Sequence, residues 1–168
     1  MDDADEQAFA EYFRARRDTV RRTAFLLCGD WHRADDHAQS AFVALHRHWR
    51  KIREPRAMDA WVRKTLVRAV VDESRRPWRR ERSTDRTPEV AGVDADVATR
   101  TALVDALRKV PARQRAVLVL RYLEGLDVAG TAAALGCSAG TVKSQTSHGL
   151  AALRGILGES LDDMREAG

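Results

Sequence analysis

The sequence predicts an all-α protein: two small helical domains joined by a flexible linker, the C-terminal one containing a helix-turn-helix. Three observations lead there. Apolar residues recur at helical spacing along both halves with no strand-period alternation. A polar, aperiodic stretch interrupts them near the middle. A helix–glycine–helix pattern lies toward the end. A chain of 168 residues has room for one ordinary domain or two small ones. Its hydrophobic share of 44% is rich in alanine and only 6% of residues are aromatic, which favours slim Ala-, Leu- and Arg-rich helices over a large core.

Taken in order, Phe9, Phe13, Val20, Ala24 and Leu27 share one helical stripe that stops at Gly29. After Trp31-His32 a second stripe runs through Ala38, Ala41, Phe42, Leu45 and Trp49. A third helix starts after Pro55 and turns Trp61, Thr65, Leu66, Ala69 and Val70 inward, until Pro77 breaks or kinks it. The expected boundaries are a first domain over 1–80, a linker over 81–98 and a second domain over 99–168. The linker is mildly acidic and carries Ser83, Thr84, Pro88, Gly92, Asp94 and Asp96. Beyond it, Val97, Thr101, Val104 and Leu107 form a stripe ended by Val110-Pro111, and Pro111 opens the next helix. That helix carries Val117, Leu118 and Arg121-Tyr122-Leu123 to Gly125.

Composition removes several classes of function. No apolar run reaches the length of a membrane span, and the acidic start Met1-Asp2-Asp3-Ala4-Asp5-Glu6 is the opposite of a signal peptide's, so a cytoplasmic location is expected. Cys28 and Cys137 make neither a disulfide framework nor a metal knuckle, and both read as small structural residues. His46-x-His48 lacks helix-face spacing, and His32 and His37 have no neighbouring cysteine, so no metal or cofactor is expected. No glycine elbow or reactive-cysteine context supports catalysis, and the chain reads as a non-enzyme.

The net charge of +4 is unevenly spread. Arg63, Lys64, Arg68, Arg75, Arg76, Arg79, Arg80 and Arg82 crowd a short stretch against Asp72, Glu73 and Glu81. Such a block either attracts a polyanion, for which arginine's fork suits phosphate, or is a solvated helix face. Trp61 within it fits a core position or, beside cations, a base-stacking platform for a single strand.

The sharpest signal spans Leu126 to Leu157. Val128, Ala132 and Leu135 form a short apolar face, Gly136-Cys137-Ser138 turns the chain, and Ser138 caps a second helix with Val142, Thr146, Leu150 and Leu153 inward. Thr141, Lys143, Ser144, Ser147 and His148 then point outward, with Gln145 at the edge. Glutamine pairs with adenine and lysine reaches guanine or phosphate, and no carboxylate lies between Ser138 and Leu157 to repel DNA. An ordinary helical hairpin shares the spacing, and the polar, cationic face favours DNA.

With both halves in view the chain resembles the extracytoplasmic-function (ECF) sigma factors of bacterial RNA polymerase, with features of an actinobacterial subfamily. Leu120-Arg121-Tyr122-Leu123-Glu124-Gly125-Leu126, followed by Leu135 through Ser144, is similar to the domain that reads the −35 promoter element. Asp36-x-x-Gln39-x-x-Phe42 matches the signature of the helix that docks on the polymerase clamp, and Ala60-Trp61-Val62-Arg63-Lys64 with Asp72-Glu73 is similar to the helix that melts and holds the −10 element. The resemblance implies polymerase contacts at Asp36, Gln39, Ser40 and Phe42. It implies −10 contacts at Arg53, Trp61, Arg63, Lys64, Arg68, Arg75, Arg76, Arg79 and Arg80, with Lys51 to Met58 as the base-reading loop. It further implies −35 contacts at Ser138, Thr141, Lys143, Ser144, Gln145, Ser147 and His148. The partners it implies are core RNA polymerase, promoter DNA (duplex at −35, single-stranded at −10) and an anti-sigma factor, with no membrane. The linker resembles one that threads the RNA exit path, and its composition equally fits a plain spacer. Here His37, Ala38 and Ser40 depart from the docking signature, and Arg68 stands where the family commonly has asparagine. The competing reading is a free-standing helix-turn-helix repressor or activator, and a third is a structural or RNA-binding adaptor.

Overall fold

The computed structural model describes residues 1–52, 54–76 and 95–166, except for the side chains of 95–99 and 160–165. Arg53, Pro77, Trp78, Arg79, Arg80 and the linker residues up to 94 lie outside the described residues. In chain order the elements are α1 (Asp3–Cys28), α2 (Trp31–His48), a 3-10 turn (Trp49–Lys51), α3 (Pro55–Ser74), α4 (Ala95–Lys109), α5 (Ala112–Leu118), a π-helical turn (Val119–Leu123), α6 (Val128–Leu135) and α7 (Ala139–Glu166). No strand occurs among the described residues.

The helix ends are written in the sequence. Asp2, Asp30 and Asp127 accept from the backbone N–H groups of Asp5, Arg33 and Gly130 at 2.8, 3.0 and 2.7 Å, capping α1, α2 and α6. Gly29 and Gly136 close α1 and α6 in the left-handed region, at φ of 75° and 68°, which glycine adopts without Cβ strain. Pro55 is the first residue of α3, where its missing N–H costs nothing. Pro111 does not open α5 but precedes it with extended backbone, and Ala112 is the first helical residue. α4 begins at Ala95, inside the stretch expected to be linker.

Two cores hold the N-terminal helices. In the aromatic one, Ala41, Phe42, Leu45, Trp49, Met58 and Val62 are buried and Phe9, Tyr12 and Trp61 pack against them. Phe9 meets the Trp49 ring edge-on at 5.4 Å between centroids, and Phe13 meets Phe42 at 4.9 Å. Trp49 is therefore a core residue. Tyr12 donates to Asp59 at 2.8 Å, and burial, then this carboxylate, pushes its phenol well above the usual range.

The second core joins the two halves. Ala24, Leu27, Cys28 and Ala34 of the first helices and Leu66, Val67, Val70 and Val71 of α3 pack with Ala116, Val119, Leu120 and Ala134 of the C-terminal half. Arg115 of α5 reinforces the seam: its guanidinium donates to the carbonyl of Leu27 at 2.9 Å and, within its own half, to that of Val110 at 2.9 Å. The sequence expectation of two helical regions holds, and they also bury apolar surface against each other. A smaller cluster of Leu107, Val110 and Leu118 seats α7 through Leu150, Ala152, Leu153 and Ile156.

Candidate nucleic-acid and polymerase interfaces

The α6–α7 unit has the local geometry that its sequence dictates. Gly136 turns the chain, and Ser138 Oγ accepts from the Thr141 N–H at 3.1 Å while also bonded to Thr141 Oγ1 at 2.9 Å, so the Ser138 hydroxyl is engaged as a cap. Val142 is fully buried and Thr146 nearly so, with Thr146 donating back to the Val142 carbonyl at 2.7 Å. Lys143, Ser144, Ser147 and His148 are exposed, and Thr141 and Gln145 are half-buried at the margins of that face. On α6 the buried positions are Thr131 and Ala134, with Val128, Ala132 and Leu135 half-covered. The burial is displaced from the expected stripe because α6 packs against α3 as well as α7.

On α2, Asp36, Gln39 and Ser40 are exposed along one face. Phe42 corrects the expectation: at 4% exposure it lies in the aromatic core, so it orients this face from beneath and presents no ring to a partner. Beside the face opens a cleft of about 410 Å³ between α2 and α3, lined by Arg33, Asp36, His37, Ser40, Asp72, Glu73 and Arg76 among others. His37 is bonded to Glu73, which also faces Arg33 at 3.5 Å. The histidine that departs from the docking signature is thus held by a carboxylate from α3. Sequence reasoning missed that role for Arg33 and Glu73, since nothing in the spacing links 37 to 73.

Lys64 and Arg68 of α3, and Arg75 and Arg76 just past its end, are exposed, and Trp61 is half-buried with its ring 5.2 Å from that of His48. Arg63 is half-buried and faces the C-terminal half, its Nε 3.8 Å from Glu124 Oε2. The other oxygen of Glu124 accepts from the Thr23 hydroxyl at 2.6 Å. Arg68 lies over the helix-turn-helix glycine, where a Cβ at Gly136 would stand 2.8 Å from its Nη2. The structure therefore brings Arg63 and Arg68 against the helix-turn-helix half, leaves Lys64 and Arg75 in solvent, and sets Arg76 in the lining of the α2–α3 cleft.

Burial pushes the Cys28 thiol up from its ordinary value and lowers the Arg115 guanidinium from its own, by removing charge from water. No group of three or more His, Cys, Asp or Glu stands together to hold a metal among the described residues, and no helix there is long and apolar enough to cross a membrane.

Residues 12–80 match the sigma-70 region 2 family and residues 100–153 match sigma-70, region 4. The chain is 38% identical over 153 residues to an RNA polymerase sigma-E factor of Streptomyces avermitilis, covering 87% of this chain and 83% of that one. It is 33% identical over 155 residues to the ECF RNA polymerase sigma factor SigM of Mycobacterium tuberculosis, covering 92% and 79%. Both genera are actinobacterial. Among solved structures, the RpoE sigma factor of Bartonella quintana, in complex with the anti-sigma factor NepR, shares the fold with a TM-score of 0.70 over 90% of this chain and 97% of its own, at 20% identity. Matches in both halves, and relatives aligned over most of their length, make this chain a member of the ECF RNA polymerase sigma factors.

Proposed function

We propose that this chain directs core RNA polymerase to promoters by gripping DNA at two places from one docked position. Sigma factors are initiation factors whose action is binding and strand separation, and no catalytic role is assigned to any residue here. Asp36, Gln39 and Ser40 on the exposed face of α2 are the proposed polymerase contacts, with the buried Phe42 as their support. Arg63, Lys64 and Arg68 of α3, Arg75 and Arg76 just past its end, and the half-buried Trp61 are proposed to follow the phosphates and meet the bases of the melted −10 strand. Arg53, Arg79 and Arg80 belong to the same proposed set.

Thr141, Lys143, Ser144, Gln145, Ser147 and His148 are proposed to read the −35 duplex from the major groove, with Ser138 fixing where α7 starts. The single observation that carries this part is the outward face of α7, polar and cationic over a buried Val142–Thr146 seam. A cytoplasmic location is part of this proposal, and an anti-sigma partner is proposed because the RpoE neighbour was solved bound to one.

Run-off transcription with core polymerase on a genomic promoter library tests the reading. The expected result is a discrete set of start sites that depends on adding this chain. Tight duplex binding by the free protein, with no association with core polymerase, would instead make it a stand-alone DNA-binding regulator.

A further inference from the structure

We propose that Glu73 and His37 are positioning residues for polymerase docking: a carboxylate of α3 holds two neighbouring turns of α2, sets the face that carries Asp36, Gln39 and Ser40, and does so most firmly when His37 is charged. The inference rests on the reading in which that face docks on polymerase, and it adds the groups that set the face and the pH range over which they act.

Asp36 is exposed, whereas the next residue, His37, is only 13% exposed at its side chain and turned toward α3. Arg33 lies four residues before His37, so the two share one flank of α2, a turn apart. Glu73 stands opposite both. Its Oε2 is in contact with His37 Nε2, and its Oε1 lies 3.5 Å from Arg33 Nε. Each carboxylate oxygen thus meets a different turn of α2. One such contact would still let α2 slide or roll against α3, and a pair of them a turn apart stops both motions. Apolar packing leaves that task open, because the buried residues beside the pair, Ala34 and Ala38, carry only methyl groups, which make few contacts. The docking face belongs to the same structure: Asp36 and Ser40 line the cleft in which Arg33, His37 and Glu73 meet.

Charge balance in the cleft supplies the pH dependence. Its charged and titratable lining groups are Arg33, Asp36 and His37 on α2, Asp72 and Glu73 on α3, and Arg76 just past the end of α3. Three carboxylates therefore face two guanidiniums, and a proton on His37 makes the set neutral. The same proton makes the contact with Glu73 charge-assisted, roughly twice as strong as its neutral counterpart. With Glu73 only 11% exposed, solvent and salt screen the pair less than one on the open surface. As the pH rises through the imidazole range the cleft is left with an excess carboxylate, and the hold on the turn that carries His37 loosens.

The full chain, labelled with a fluorophore at its N-terminus, is titrated with core RNA polymerase and followed by anisotropy. The unaltered chain is expected to lose affinity by about fivefold or more from about pH 6 to about pH 8, the low end of a typical coupling between sites. His37→Leu should bind more weakly at the acid end and lose that slope. His37→Gln, whose amide donates without titrating, should bind more tightly than His37→Leu at the basic end without regaining the slope. Glu73→Gln should flatten the profile too, and combining it with His37→Leu should cost no more than the larger single change. His32→Gln removes an exposed imidazole of the same helix and should keep the unaltered profile. Titration of polymerase itself is common to every variant, so the slope is read as the difference from His37→Leu. A merely structural role would weaken docking equally at both ends of the range. An unaltered slope in His37→Leu, or a loss of affinity there that does not change with pH, would overturn the positioning role while docking stands. Should Glu73→Gln fail to fold, the two His37 variants carry the test alone. No association of the unaltered chain with core polymerase at any pH would instead remove the docking reading, and the positioning role with it.

Discussion

α3 and the first turns of α7 are both proposed to meet DNA, yet they stand in different surroundings. The outward side chains of α7 have no acidic partner among the described residues, and the seam beneath them is closed by Val142 and Thr146. On α3, Arg63 faces Glu124 and Arg68 lies over Gly136, both from the other half of the same chain. The difference teaches that a shared core can leave one polar helix face without a partner from the other half while it sets side chains of a second helix against that half.

The largest expected effect breaks the comparison at its base. Leu120 is fully buried in the shared core, so Leu120→Ala removes packing from both halves and should cost ~3 kcal/mol, read by urea denaturation. Because the core is shared, the unaltered chain should unfold in one transition seen equally by probes in either half. Two separated transitions would mean that the halves are independent and that α3 is as free as α7. A second change sharpens the α7 side. Lys143→Ala with Gln145→Ala should lower discrimination between −35 sequences by ~1–3 kcal/mol for each bidentate pair lost, measured by competition among duplexes. An unaltered preference would remove those side chains from reading.

Smaller again is Ser138→Ala. Loss of the cap on Thr141 should cost ~1 kcal/mol of stability while the order of preference among −35 duplexes stays the same, which separates capping from base contact. The smallest effect concerns the cysteines. Burial raises the Cys28 thiol, so its contribution to stability is present below the ordinary thiol range and declines as the pH rises through it. Iodoacetamide at pH 8 should label the half-exposed Cys137 well before Cys28, followed by mass spectrometry.

Much of this was legible in the residues. The stop at Gly29, the turn at Gly136, the Ser138 cap and the inward Val142 and Thr146 all follow from local sterics, which a sequence states directly. What was not legible depends on long-range packing. Ala116, Leu120 and Ala134 look like residues of one small domain's interior, and only the fold reveals that they also cover α3. Arg115 looks like a surface cation until the carbonyls of Leu27 and Val110 appear around it. Glu124 reads as part of a turn before glycine, and His37 as an odd substitution, because the partners that give them meaning lie far off in sequence, at Thr23 and Arg63 for the one and Glu73 for the other. Phe42 matches the docking signature, and its place on the apolar stripe with Ala38, Ala41 and Leu45 already marks the core position that the fold gives it.

The most direct measurement of the central claim is co-migration of the chain with core RNA polymerase on size exclusion, compared with Asp36→Ala combined with Gln39→Ala. Stoichiometric association is expected for the unaltered chain and its loss in the variant, with helical content unchanged because both side chains are exposed. No association of the unaltered chain, together with tight polymerase-independent binding to duplex DNA, would contradict it.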